Sequence, residues 1–155
     1  MRGKRAKKRA IMPDSVYKSK VVARTINAVM ERGKKSLAKD IVYGSIQKLN
    51  QDEKEGLRIF EQAIKNVMPQ QEVRSKRVGG ATYQVPMPLK HDRAEALAIR
   101  WIVDAAKSEK EKPMVEKLYE VLNDSYQNTG DAIKKRDDVH RMADANRAFA
   151  HFARF

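Results

Sequence analysis

The chain has 155 residues, with 33 Lys and Arg against 20 Asp and Glu, no cysteine, and a formal net charge of +13. That length fits one domain with one modest core, and the lack of cysteine excludes a disulfide framework or a thiolate zinc site. No apolar run reaches the roughly eighteen residues needed to cross a bilayer, and the basic start lacks the apolar stretch of a signal peptide. An intracellular protein fits these limits. The positive excess is larger than solubility requires and opposes compaction by self-repulsion, so its expected use is a polyanionic partner. Charge alone does not separate RNA from DNA.

Residues 1–12, MRGKRAKKRAIM, hold six Lys or Arg and no acid. They carry little to bury and repel one another, which predicts an arm that orders only against phosphate. Up to Lys35 the count is twelve basic residues against Asp14 and Glu31, whereas 36–72 is nearly neutral. Basic residues dominate again at 73–80 and from Lys134 onward.

From Ser19 to Arg32, apolar residues at helical spacing predict a first helix stopped by Gly33. Ser36 is expected to cap a second, striped by Leu37, Ile41, Val42, Ile46 and Leu49. A third covers about Glu53 to Met68, with Leu57, Phe60, Ile64 and Val67 facing the core and Pro69 closing it. The fourth runs from about Arg93 to Lys107, and Trp101 in its apolar run reads as packing. Pro113 fits the first turn of a fifth, which Gly130 ends. The last begins within 131–137 and reaches about Ala150, so that Met142, Asn146 and Phe149 share a face.

Residues 73–87, VRSKRVGGATYQVPM, break the helical pattern. They predict a two-stranded β-ribbon turning at Gly79-Gly80, with Val78 opposite Ala81, Arg77 opposite Thr82, Lys76 opposite Tyr83, Ser75 opposite Gln84 and Arg74 opposite Val85. Alternation places Ser75, Arg77, Thr82 and Gln84 on one polar face, while the other mixes Arg74 and Lys76 with Val78, Tyr83 and Val85. Neither face is cleanly apolar, so the ribbon is expected to project from the body. A basic ribbon can enter a nucleic-acid groove, with Tyr83 available to stack on a base.

Nothing comparable suggests chemistry. His91, His140 and His151 form no HExxH or histidine-carboxylate pair, and His140 with Asp144 makes a poor metal signal. Asp137 and Asp138 are adjacent and so do not face each other on a helix. Gly33-Lys34-Lys35-Ser36 lacks the glycine-rich run of a phosphate loop and reads as a helix-helix corner with two lysines at a helix start. No catalytic residue, cofactor or metal site is predicted. A mainly α single domain of about six helices with a protruding two-stranded β-ribbon is the expected fold. RNA binding leads, and a DNA-binding helical protein with a basic β-ribbon is the alternative.

Three long segments add a resemblance. Asp14-Ser15-Val16-Tyr17 with INAVMERGKKSLAKDIVYGSI at 26–46, VRSKRVGGATYQVP at 73–86 with ALAIRWIVDAAK at 96–107, and AIKKRDDVHRMADANRAFAHF at 132–152 follow in order. Together they resemble the bacterial-type small-subunit ribosomal protein S7 (uS7) family over essentially the whole chain. The resemblance implies a basic RNA-binding tail over 1–12 and a helical domain over 13–155. It implies binding to the 3′ major domain of small-subunit rRNA, a part in assembling the head, and a place near the exit-site tRNA and the mRNA path. Ribosomal protein S11 is the implied protein neighbour. The implied location is the small ribosomal subunit of the cytoplasm, with an organellar ribosome as the other possibility.

By the same resemblance Arg2, Lys4, Arg5, Lys7, Lys8 and Arg9 contact rRNA from the tail, and Lys34 and Lys35 from the helical corner. Arg74, Lys76, Arg77, Gly79, Gly80, Tyr83 and Gln84 do so from the ribbon, and Lys134, Lys135, Arg136, His140 and Arg141 from the C-terminal segment. Ser15 stands where the family often has proline, which predicts a less rigid approach to the first helix. SEKEKPM at 108–114 replaces a more basic segment and weakens the expectation of RNA contact there, and His91 replaces a frequent proline.

Overall fold

Each helix forms where small and branched apolar residues recur on one stripe, and the computed structural model shows which stripe each one buries. It describes Gly3, Ala6 and residues 9–154, the side chain of Arg154 excepted. Arg2, Lys4, Arg5, Lys7 and Lys8, five of the expected RNA contacts, lie outside the described residues.

Helix α1 (Lys20–Val29) buries Val22, Thr25, Ile26 and Val29, a spacing of three and four. It stops before the expected Arg32. Met30 turns extended, with ψ 128°, and Arg32 and Gly33 both take left-handed φ, 52° and 76°. Gly33 therefore shapes the corner and does not terminate the helix. Helix α2 (Lys35–Leu49) starts one residue before Ser36, which corrects the expected cap. Lys34 holds the cap position, and no side chain accepts from the first turn.

Helix α3 (Glu53–Val67) has a true cap, since Asp52 Oδ1 accepts from the Lys54 N–H at 3.1 Å. Its Gly56 lies so close to α2 that a Cβ there would stand 3.0 Å from the Ile46 carbonyl oxygen. Phe60, Ala63, Ile64 and Val67 are buried beyond it.

Strands β1 (Gln71–Val78) and β2 (Ala81–Pro88) pair antiparallel in the predicted register, extended outward from 73–87 to 71–88. The ribbon carries more apolar anchorage than its alternation predicts, for Val85 is fully buried and Pro86 is buried beside it. Helix α4 (His91–Ser108) begins two residues earlier than expected, and Trp101 packs against the core half-buried.

Pro113 caps helix α5 (Met114–Tyr126) from outside its first turn. Central α5 touches α2, α3 and α4 as well as helix α6 (Gly130–Ala145). Gly130 opens α6 with φ 85° and does not end α5; the left-handed residue after α5 is Asn128, φ 58°. Helix α6 stops at Ala145, and Arg147–Arg154 continues as a 3-10 helix, η1. The expected common face of Met142, Asn146 and Phe149 is therefore not formed. Met142 is largely exposed, and Asn146 is the C-cap.

The approach to α1 is held by hydrogen bonds, with Ser15 and not proline following Asp14. Asp14 Oδ2 accepts from the N–H groups of Val16 and Tyr17 at 3.0 and 3.2 Å, and Tyr43 Oη donates to Oδ1 at 2.8 Å. Tyr17 packs edge-on against Tyr43. These contacts tie the entry to α2. Burial pushes the Asp14 carboxyl up, but the bonds from Tyr43, Tyr17 and Val16, helped by Lys39, outweigh it and hold it below its ordinary 3.8.

A depressed carboxyl stabilises the fold above its unfolded value, and the contribution disappears as pH falls through the folded value. Asp14→Ala is expected to cost about 2 kcal/mol at neutral pH. It should also flatten the loss of stability below pH about 4, when urea midpoints are compared across pH.

Candidate nucleic-acid interface

An open groove runs between α1 and α4. Lys20 and Arg24 line it from α1, Arg100 and Lys107 from α4, and Arg9 from the segment before α1. The spacing explains the arrangement. Lys20 and Arg24 are four apart and Arg100 and Lys107 seven apart, so each pair stands on one face of its helix. Arg24 is held in place, with Nη1 2.8 Å from Glu95 Oε1 and Nη2 3.3 Å from Asp92 Oδ1. Glu95 is buried, so this pair is screened far less than an exposed one. Lys107 donates to Glu31 at 2.6 Å, an exposed and well-screened pair that a phosphate can replace. Asp92 and Asp104 also line the groove, yet Arg9, Lys20 and Arg100 enter no ion pair among the described residues.

The groove continues into its neighbours. Arg9 also lines a pocket with Lys35 and Lys39, and Lys107 also lines one with Arg32 and Lys34. Shared linings make one basic band from the segment before α1, along α1 and α4, to the α1–α2 corner. At that corner α2 has no acid in its first turn and no side-chain cap, so its amide dipoles add to the charges of Lys34 and Lys35. Sequence alone singles out Arg9, Lys34 and Lys35 but misses Lys20, Arg24, Arg100 and Lys107. The available signal was the same-face spacing of cations on the two helices, which on α4 is interrupted by Asp104.

The ribbon divides its expected site residues. Arg77 is exposed and enters no ion pair among the described residues. Ser75 and Gln84 side chains hydrogen-bond to each other across the strands. Arg74 is bound to Glu72, with Nη2 2.5 Å from Oε1, and Glu72 also takes Arg93. Tyr83 packs against the rings of Phe149 and Phe152 at 5.2 and 5.1 Å and stays partly exposed.

At the tip, Gly79 and Gly80 have φ 58° and 90° with open space where a Cβ would stand, so conformation and not crowding requires glycine. Gly79→Val with Gly80→Val is expected to distort the turn, because β-branched residues strongly resist that region. Nuclear magnetic resonance should show the Val78–Ala81 pairing abolished and the helical core intact. Gly79→Asn alone should preserve it.

The C-terminal basic residues also separate by role. Lys134 pairs with Asp131 and Arg141 with Asp138, both exposed, while Lys135 is exposed and outside any ion pair among the described residues. Arg136 is a structural link. Its Nη1 donates to the Asn66 carbonyl at 2.5 Å and Nη2 stands 2.7 Å from Asp137, tying α6 to α3. His140 is another such link, its Nε2 accepting from the Gln70 N–H at 3.1 Å at the root of the ribbon. That bond places the neutral ring's proton on Nδ1. In 108–114, Lys112 is bonded to Glu120.

Among the described residues, no three His, Asp or Glu side chains gather as metal ligands do, and no helix is long and apolar enough to cross a membrane. Fold and groove define a small basic helical protein that displays its cations along one band and on a two-stranded ribbon. The family model of ribosomal protein S7p/S5e matches residues 1–147. The small ribosomal subunit protein uS7 of Fervidobacterium nodosum is 58% identical over 153 residues, covering 98% of this chain and 99% of that protein. Those of Nautilia profundicola and Pelagibacter ubique are 56% and 49% identical, covering at least 97% of both chains. The chain belongs to the ribosomal protein S7p/S5e family, a family of small-subunit structural proteins and not of enzymes.

Proposed function

We propose that the chain binds the 3′ major domain of small-subunit rRNA through the basic band between α1 and α4, the α1–α2 corner, the ribbon tip and the tail at 1–12. It thereby helps assemble the head of the subunit. The observation that carries this reading is the continuity of the band: Arg9, Lys20, Arg100, Lys34 and Lys35 line adjoining grooves and enter no ion pair among the described residues, and cations outnumber the acids that share the lining, Asp14, Glu31, Asp92 and Asp104. Such a band replaces condensed counterions along a phosphate backbone, and their release drives binding. Arg77 at the ribbon tip and Lys135 on α6 extend the interface beyond the band. In the assembled cytoplasmic subunit, this surface lies near the exit-site tRNA and the mRNA path, with ribosomal protein S11 as a neighbour.

The test is a titration of a 3′ major domain RNA fragment against duplex DNA at matched salt, followed by crosslinking in intact small subunits. RNA should bind tighter, and crosslinks should map to the head. Replacing Lys20 and Arg100 by glutamine should lower the logarithmic salt slope by roughly two, about one for each phosphate no longer neutralised. Equal affinity for DNA, or an unchanged slope, overturns the assignment.

A further inference from the structure

The ribbon is two-stranded, and an isolated hairpin of that kind is marginal in water. Its root is supported by the body, where Val85 is buried and Gln71 Nε2 donates to Asp144 of α6. Its outer half has a different support. Tyr83, opposite Lys76, meets both Phe149 and Phe152 of η1, whose rings lie nearly parallel 6.4 Å apart. Across the ladder from Tyr83, the Lys76 ammonium donates to the Phe152 carbonyl at 3.0 Å. His151 packs on Phe152 at 4.0 Å and bonds the Ala148 carbonyl through Nδ1, bracing the turn that presents the ring. Phe149 and Phe152 stand outside the main core, so the ribbon face is their principal packing partner.

We infer that Phe149 and Phe152 are positioning residues: they latch η1 onto the inner face of the ribbon and set the aim of its tip, hence of Arg77. The latch takes Tyr83 and Lys76 out of direct contact with nucleic acid and uses them to stiffen the strand pair next to the turn. Pairs of aromatic rings contribute beyond their buried area, and one ammonium–carbonyl bond adds direction. Pre-ordering matters because a ribbon that is already aimed loses less freedom on docking. The consequence for binding rests on the ribbon contacting RNA, as proposed above; the mechanical latch does not.

The experiment separates the two. In the full chain, Phe149→Ala with Phe152→Ala should raise amide exchange in 74–77 and 82–84 by about tenfold, the size of one or two missing ring pairs. Exchange in α2, α3 and α5 should stay unchanged. The affinity for the 3′ major domain fragment should fall several-fold with the salt slope intact, because no cation is removed. Phe149→Tyr with Phe152→Tyr should restore both readouts, and Phe152→Ala alone is the milder variant should the double change disturb folding.

Unaltered ribbon exchange overturns the latch. Faster exchange together with tighter RNA binding overturns it as an aiming device, since η1 would then be a cover over Tyr83. Arg77→Ala in the otherwise intact chain reports on the RNA reading itself. If it leaves affinity unchanged, ribbon docking fails, and the exchange data alone decide the latch.

Discussion

Deleting residues 1–9 is expected to weaken binding to small-subunit rRNA by orders of magnitude while leaving the helical body folded. The deletion removes Arg2, Lys4, Arg5, Lys7, Lys8 and Arg9, all cationic, and none of the buried core residues among those described. If each neutralises one phosphate of duplex RNA, the logarithmic salt slope drops by roughly five, and binding at moderate salt falls accordingly. Arg9 has a further part, because it belongs both to the α1–α4 groove and to the pocket beside Lys35. The Asp14 turn lies beyond the deletion and stays bonded to Tyr43, so α1 still enters at its proper angle. Circular dichroism should report an unchanged melt, and titration over a salt series the reduced slope. An unchanged slope would remove the tail from the interface.

The second large effect is on stability. Phe60 is fully buried on α3 and is the largest side chain of the core with no exposed surface. Phe60→Ala should cost about 3–5 kcal/mol, combining lost transfer energy with the cavity left behind. A domain of this size has only about 5–15 kcal/mol in total, so the variant should be partly unfolded at growth temperatures. The cavity has little chance to close. Gly56, one turn earlier on α3, brings α3 so near α2 that a Cβ there would stand 3.0 Å from the Ile46 carbonyl oxygen, and α5 packs on α3 as well. Urea unfolding measures the loss directly. Phe60→Leu, which fills most of the space, should cost less than half as much.

Much of this architecture is local and therefore readable before any tertiary contact is known. Helical spacing marks the buried stripes of α1, α3 and α4, because a helix that buries one face must repeat apolar residues every three or four positions. Gly79-Gly80 between two β-rich runs sets the ribbon register, because two consecutive left-handed residues admit little else. The net charge and the basic start point to a polyanion, and three ordered signatures point to the family.

Helix ends are less local. Gly33 and Gly130 each look like a stop, yet one shapes a corner and the other opens α6, since glycine marks a left-handed residue without saying which element it bounds. Which cations already hold a partner within the fold is decided only by tertiary structure. Lys20 and Arg100 are remote in sequence, and they become one groove because α1 packs beside α4. Arg136 and His140, expected as RNA contacts, bond the Asn66 carbonyl and the Gln70 N–H from α6. Tyr83 reads as a free ring but lies against Phe149 and Phe152. A charge or an aromatic ring is written in the sequence, whereas whether a carboxylate, a carbonyl or another ring already holds it depends on residues far along the chain. Those partners meet it only when the helices pack.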